Sequence, residues 1–137
     1  MHVLVVENDL DTLDLLYHAL INAGYEVSQA RDVADALRLS RLHPDIGVVV
    51  ANVRLDHQIS GMEMAGKMRQ RLNSHYILAS GDWDVLASPC PDDISVLRKP
   101  YGKEELLCAV RHGVARHEAS HAGGSCGLDK KTWRLQA

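Results

Sequence analysis

The sequence predicts an α/β fold, a parallel five-stranded sheet with helices on both faces. Three observations carry that prediction. Short apolar runs alternate with stretches whose apolar residues recur at helical spacing, the pattern of strand–helix units joined by right-handed crossovers. The central run, Ile46 to Ala51, is apolar without alternation, as a strand covered on both faces must be. Three of the runs halt at polar groups: Val3–Val6 meets Glu7, Asn8 and Asp9, Ile46–Ala51 meets Asn52, and Ile94–Leu97 meets Arg98 and Lys99, just before Pro100. Strands that end this way deliver polar side chains to one shared edge.

In chain order, Val3–Val6 reads as a buried strand. Leu10, Leu13, Leu16, Tyr17 and Leu20 then line one face of a helix, from an Asp9 N-cap to Gly24 at the C′ position. Tyr25–Ala30 is the second strand. Asp32 caps a second helix with Val33, Ala36, Leu37 and Ser40 inward, ending before His43 and Pro44. After the third strand comes a loop, Leu55 to Ser60, then Gly61 and a helix from about Met62 to Leu72. Its stripe of Met62, Ala65, Met68 and Leu72 has core spacing. His75–Ala79 and Ile94–Arg98 are strands four and five. Pro89 and Pro91 leave room for at most about two helical turns between them. A last helix, Lys103–Arg116, turns Leu106, Leu107, Val110 and Val114 inward.

The 137 residues fit one domain that needs no disulfide or metal staple. Residues 1–117 form it, and residues 118–137 read as a partly disordered tail in which Trp133 is an available anchor. A net charge of −3 gives no concentrated basic face for nucleic acid. No apolar run approaches the ~20 residues of a membrane span, and no basic-then-apolar leader opens the chain, so the expected location is cytoplasmic. Cys90, Cys108 and Cys126 are too scattered for a disulfide framework or a zinc site. His112 and His117 fall on different faces of a helix, which argues against ligation by them with His121.

The ordered set of strand-end residues resembles the receiver domain of bacterial two-component response regulators, over roughly residues 1–117. The resemblance implies the doubly wound (βα)5, flavodoxin-like arrangement with strand order 2-1-3-4-5. The topological switch then lies between strands one and three, where open sheets bind ligands outside the carboxyl ends of the strands. Carried over position by position, the family's acidic pair falls on Glu7 and Asn8, its phosphoacceptor on Asn52 and its backbone metal ligand on Arg54. The phosphate-binding hydroxyl falls on Ser80 and the lysine on Lys99, with Pro100 as the cis-proline. The aromatic switch position holds Val96, and the loop from Leu55 to Gly61 lacks the usual proline.

Two amides stand where carboxylates are needed. An amide nitrogen has a delocalised lone pair, and its neutral oxygen is a far weaker nucleophile than a carboxylate. Three potential negative charges fall to one, Glu7, leaving little incentive for Mg²⁺ to shed water. Asp9 and Asp56 are nearby acids, but Asp9 is better placed as a helix cap. No cofactor is therefore expected, and Mg²⁺ at most weakly. The reading is a pseudo-receiver: a stand-alone, phosphorylation-independent signalling module, not an enzyme. It would contact a histidine kinase or a downstream regulator and bind neither nucleic acid nor membrane, with a homodimer left open. Two alternatives stand beside it. One is a conventional response regulator with an engineered Asp-to-Asn change at Asn52 or a neighbouring acceptor acid. The other is an anion or small-molecule sensor using Ser80 and Lys99. No activated nucleophile or phosphate-cradling glycine loop supports a hydrolase or flavin carrier.

Overall fold

The alternating pattern is realised as β1 (His2–Val6), α1 (Leu10–Asn22), β2 (Glu26–Ala30), α2 (Val33–Leu42), β3 (Ile46–Asn52), α3 (Gly61–Met68), β4 (His75–Ser80), β5 (Ile94–Arg98) and α4 (Lys103–His121). The computed structural model describes residues 1–53, 61–70, 72–81 and 92–121. The five strands form one sheet in the order β2-β1-β3-β4-β5, and every pairing is parallel. Successive strand side chains point to opposite faces. Leu4, Val6, Val49, Ala51, Tyr76 and Leu78 accordingly pack with α2 and α3, while Val3, Val5, Val48, Val50, Ile77 and Ala79 pack with α1 and α4.

The helix starts follow local chemistry. Asp9 accepts a hydrogen bond from the Thr12 backbone N–H at 3.1 Å, and Asp32 accepts one from that of Asp35 at 2.7 Å, each satisfying an amide that the first turn leaves unpaired. Gly24 follows α1 with φ +97°, the left-handed conformation that glycine adopts without a Cβ penalty.

Several boundaries and faces differ from expectation. Leu10 is 57% exposed because a residue in the first turn projects back toward the helix N-terminus, past the sheet edge. In α3 the buried stripe is Gly61, Met64, Ala65 and Met68, at i, i+3, i+4 and i+7; Met62 is only partly buried. The helix stops at Met68, yet Leu72 stays buried, its N–H bonded to the Met68 carbonyl at 2.8 Å. The last helix continues to His121 rather than ending at Arg116, through a segment that includes Ala119 and no proline. The loop at residues 54–60, with Arg54 and Asp56, the proline-bounded stretch at residues 82–91, and the tail from residue 122, with Trp133, lie outside the described residues, as do Cys90 and Cys126. Cys108 is exposed.

Candidate functional site

The strand order places the carboxyl ends of β1 and β3 side by side, so Glu7 and Asn52 meet at the switch point. Both are buried, at 5% and 8% exposure. The Asn52 Nδ2 donates to Glu7 Oε2 at 2.5 Å, and the Asp9 backbone N–H donates to Glu7 Oε1 at 3.1 Å. A carboxylate only accepts, which orients the amide with its nitrogen toward Glu7. The charge of Glu7 is therefore met from within the fold, once by the Asp9 backbone and once by the Asn52 amide. A charge-assisted hydrogen bond of this kind is among the stronger single contacts a buried site can hold.

The neighbouring strand ends bring the remaining groups to the same edge. Ser80, at the end of β4, is buried, and its carbonyl accepts from the Lys99 N–H at 2.9 Å, tying the turn after β5 to the site. The Lys99–Pro100 peptide is cis. Asn8, Asp9 and Lys99 are exposed. They line, with Glu7, Asn52 and Tyr101, an open cleft of about 1030 Å³ that continues along α1 past Leu15 and Leu16. Asp9 serves as the α1 cap: its carboxyl lies below the ordinary range because the Thr12 hydroxyl and then the Thr12 N–H bond to it. Val96, in the middle of β5, is buried in a strand with no aromatic side chain. Arg54 lies outside the described residues.

Tyr101 is a site residue that strand-end reasoning did not mark. It follows the proline turn, lines the cleft, and is half-buried against the α1–α4 core. Burial, and then the negative charge of Glu7, push its phenol up, so it remains a neutral hydroxyl beside the carboxylate. Its place right after Lys99 and Pro100 was the available signal. The spacing of Gly61 had another: a Cβ there would collide with the Asn52 backbone, and its N–H donates to the Val53 carbonyl at 2.6 Å. That glycine lets the start of α3 press against the end of β3.

Comparison with known proteins agrees with this geometry. No protein-family model matches the chain. The transcriptional regulatory protein YrkP of Bacillus subtilis is 32% identical over 118 residues, covering 84% of this chain and 50% of that protein. The transcriptional regulatory protein KdpE of Mycobacterium tuberculosis is 32% identical over 122 residues, covering 86% of this chain and 53% of that protein. The chain thus spans about half the length of these relatives. Among solved structures, a response regulator receiver domain from Clostridium thermocellum superposes with a TM-score of 0.77 at 22% identity, covering 87% of this chain and 98% of that one. The chemotaxis protein CheY4 of Vibrio cholerae gives 0.68 at 21% identity, covering 82% and 97%. The fold is the flavodoxin-like, doubly wound fold of receiver domains. Within that fold, the chain is similar to solved receiver domains of response regulators and to about half the length of the two regulatory proteins. Among the described residues, no helix is long and apolar enough to cross a membrane.

Proposed function

We propose that this chain is a receiver-fold signalling module of the two-component type that acts by contacting another protein, without phosphorylation at Asn52. The observation that carries the reading is the buried Asn52–Glu7 hydrogen bond. It replaces a nucleophilic carboxylate with a neutral amide, and it occupies the carboxylate that would otherwise draw a cation. The fold family implies Mg²⁺ at this edge. The residues present do not fit it: Asn8 and Asn52 are neutral, both Glu7 oxygens accept protein hydrogen bonds, and Asp9 is held by Thr12. No chemical step is assigned to the metal, and the chain is read as a non-enzymatic cytoplasmic protein.

A binding role is supported by the cleft wall. Leu15 on α1 is 71% exposed and borders the same opening as Lys99 and Tyr101, offering a partner such as a histidine kinase or downstream regulator an apolar hold beside a polar edge. An anion sensor built on Ser80 and Lys99 is disfavoured because the buried charge beside them, Glu7, is negative. Incubation with acetyl phosphate and Mg²⁺, followed by intact-mass measurement, tests the proposal. The expected result is an unchanged mass. A stoichiometric gain of about 80 Da that hydroxylamine removes would overturn it.

A further inference from the structure

A second cluster of ligand-type side chains lies at the opposite, amino-terminal end of the sheet. His2 opens β1 and is 3% exposed. Its Nδ1 lies 3.0 Å from Asp45 Oδ2 and 3.7 Å from Glu26 Oε2, and its ring meets that of His43 edge-on with centroids 5.1 Å apart. One ligand atom each from His2, His43 and Asp45 falls within 4.8 Å of the others. A zinc ion with bonds of about 2.0–2.2 Å to nitrogen and oxygen needs ligand atoms at most about 4 Å apart, so small side-chain rotations close the set.

We propose that His2, His43 and Asp45 form a binding site for a divalent transition-metal ion of the zinc type, with the Glu26 carboxylate in reach as a fourth ligand. Two imidazoles and a carboxylate suit zinc better than a hard cation such as Mg²⁺. The local backbone holds the set in place. His43 caps α2 and Asp45 follows it across Pro44, whose ring fixes its own φ and keeps His43 out of the helical region. The carbonyl of His43 also accepts from the Ile46 N–H at 3.3 Å, closing the turn.

His2 is aimed at this turn by an irregularity in the sheet. The β1–β3 register runs His2 to Ile46 and then Val3 to Val48, so Gly47 is an extra residue opposite the strand start. Such a bulge redirects the adjoining side chains. A Cβ at Gly47 would meet the Met1 side chain and the His117 ring, so glycine there keeps the bulge compact. The far nitrogen of His2 is also provided for, since Nε2 lies 2.7 Å from Ser28 Oγ. With a metal bound, Nε2–H donates to that hydroxyl and the Nδ1 lone pair takes the ion, which replaces the Nδ1–H proton that otherwise bridges to Asp45. An outer hydrogen bond of this sort commonly fixes the tautomer of a metal-bound histidine. The ion would pin β1, β2 and the α2–β3 turn together, at the end of the sheet away from Glu7 and Asn52.

Titration of the untagged, EDTA-dialysed full chain with ZnCl2 by calorimetry tests the site, with thermal melting as a second readout. One equivalent should bind in the micromolar range or tighter and raise Tm. His43→Ala and Asp45→Asn should each weaken binding by about tenfold or more, and should abolish the Tm gain. Asp45→Asn changes an exposed side chain to its isostere and so keeps the fold available for the measurement. His18→Ala, on an exposed α1 histidine 3.7 Å from Asp14, should leave binding unchanged. Absence of stoichiometric binding by the wild type would overturn the proposal, as would equal affinity in the His43→Ala and Asp45→Asn variants.

Discussion

At the scale of single residues, the edge between β1 and β3 is held by a neutral amide donor facing a carboxylate. Asn52 donates to Glu7 on the inner wall of the cleft, where both side chains are largely buried. Replacing it with aspartate removes a hydrogen bond to a charged group, worth about 1.5–3 kcal/mol, and sets a second carboxylate against the first. In the metal-free double variant Asn8→Asp with Asn52→Asp, urea unfolding at neutral pH should therefore show a loss of stability of at least that order. Mg²⁺ should restore part of it by binding the folded state alone, while the wild-type Tm stays unmoved by Mg²⁺. A double variant indifferent to Mg²⁺ would mean that Glu7, Asn8 and Asn52 do not occupy a receiver's metal site.

At the scale of elements, two glycines of α3 make opposite claims on the same helix. Gly61 sits against the Asn52 backbone with no room for a Cβ, whereas Gly66 is exposed with nothing within 4 Å of one. Gly61→Ala should cost about 1–3 kcal/mol as the end of β3 is forced aside. Gly66→Ala should stabilise by about 0.5–1 kcal/mol through lower unfolded-state entropy and better helix propensity. Paired chemical denaturation curves check both signs. What the sequence made legible follows the same division. Strands and caps were readable because a buried parallel strand needs an unbroken apolar run and a helix start needs a short oxygen side chain; β5 and the Asp9 and Asp32 caps stand where they were expected. The inward face of α3 was harder. Met62 and Met64 are chemically alike, and only the actual start at Gly61 decides which of them faces the sheet. At the site, residue types indicated that Glu7 and Asn52 share an edge, but the hydrogen bond joining them depends on side-chain rotamers. Tyr101 was missed because a residue after a turn carries no periodic signal.

At the scale of the molecule, stability should depend on pH through a histidine remote from the candidate signalling edge. His75 opens β4, its Nε2 lies 2.6 Å from Ser95 Oγ, and its ring packs edge-on against His112 with centroids 6.1 Å apart. Burial, followed by the nearby charges of His112, Arg116 and His117, lowers its pKa to about 3. Burial and then Arg116 lower His112 as well. In the unfolded chain a histidine titrates near its ordinary value of about 6.5, so on acidification the unfolded state takes up a proton that the folded state refuses. The contribution of His75 is thus fully present above pH ~6.5 and is lost as pH falls toward its folded value. Between pH 7.5 and 5.5 that loss is on the order of 1 kcal/mol. His75→Gln keeps a polar group for Ser95 without the titration. It should be less stable than the wild type at pH 7.5, with the gap narrowing by about that amount at pH 5.5. Urea midpoints of both proteins at the two pH values measure the gap directly. A gap that stays constant would mean that His75 protonates as readily in the folded protein as in the unfolded chain, and the acid sensitivity of the fold would have to arise at other groups.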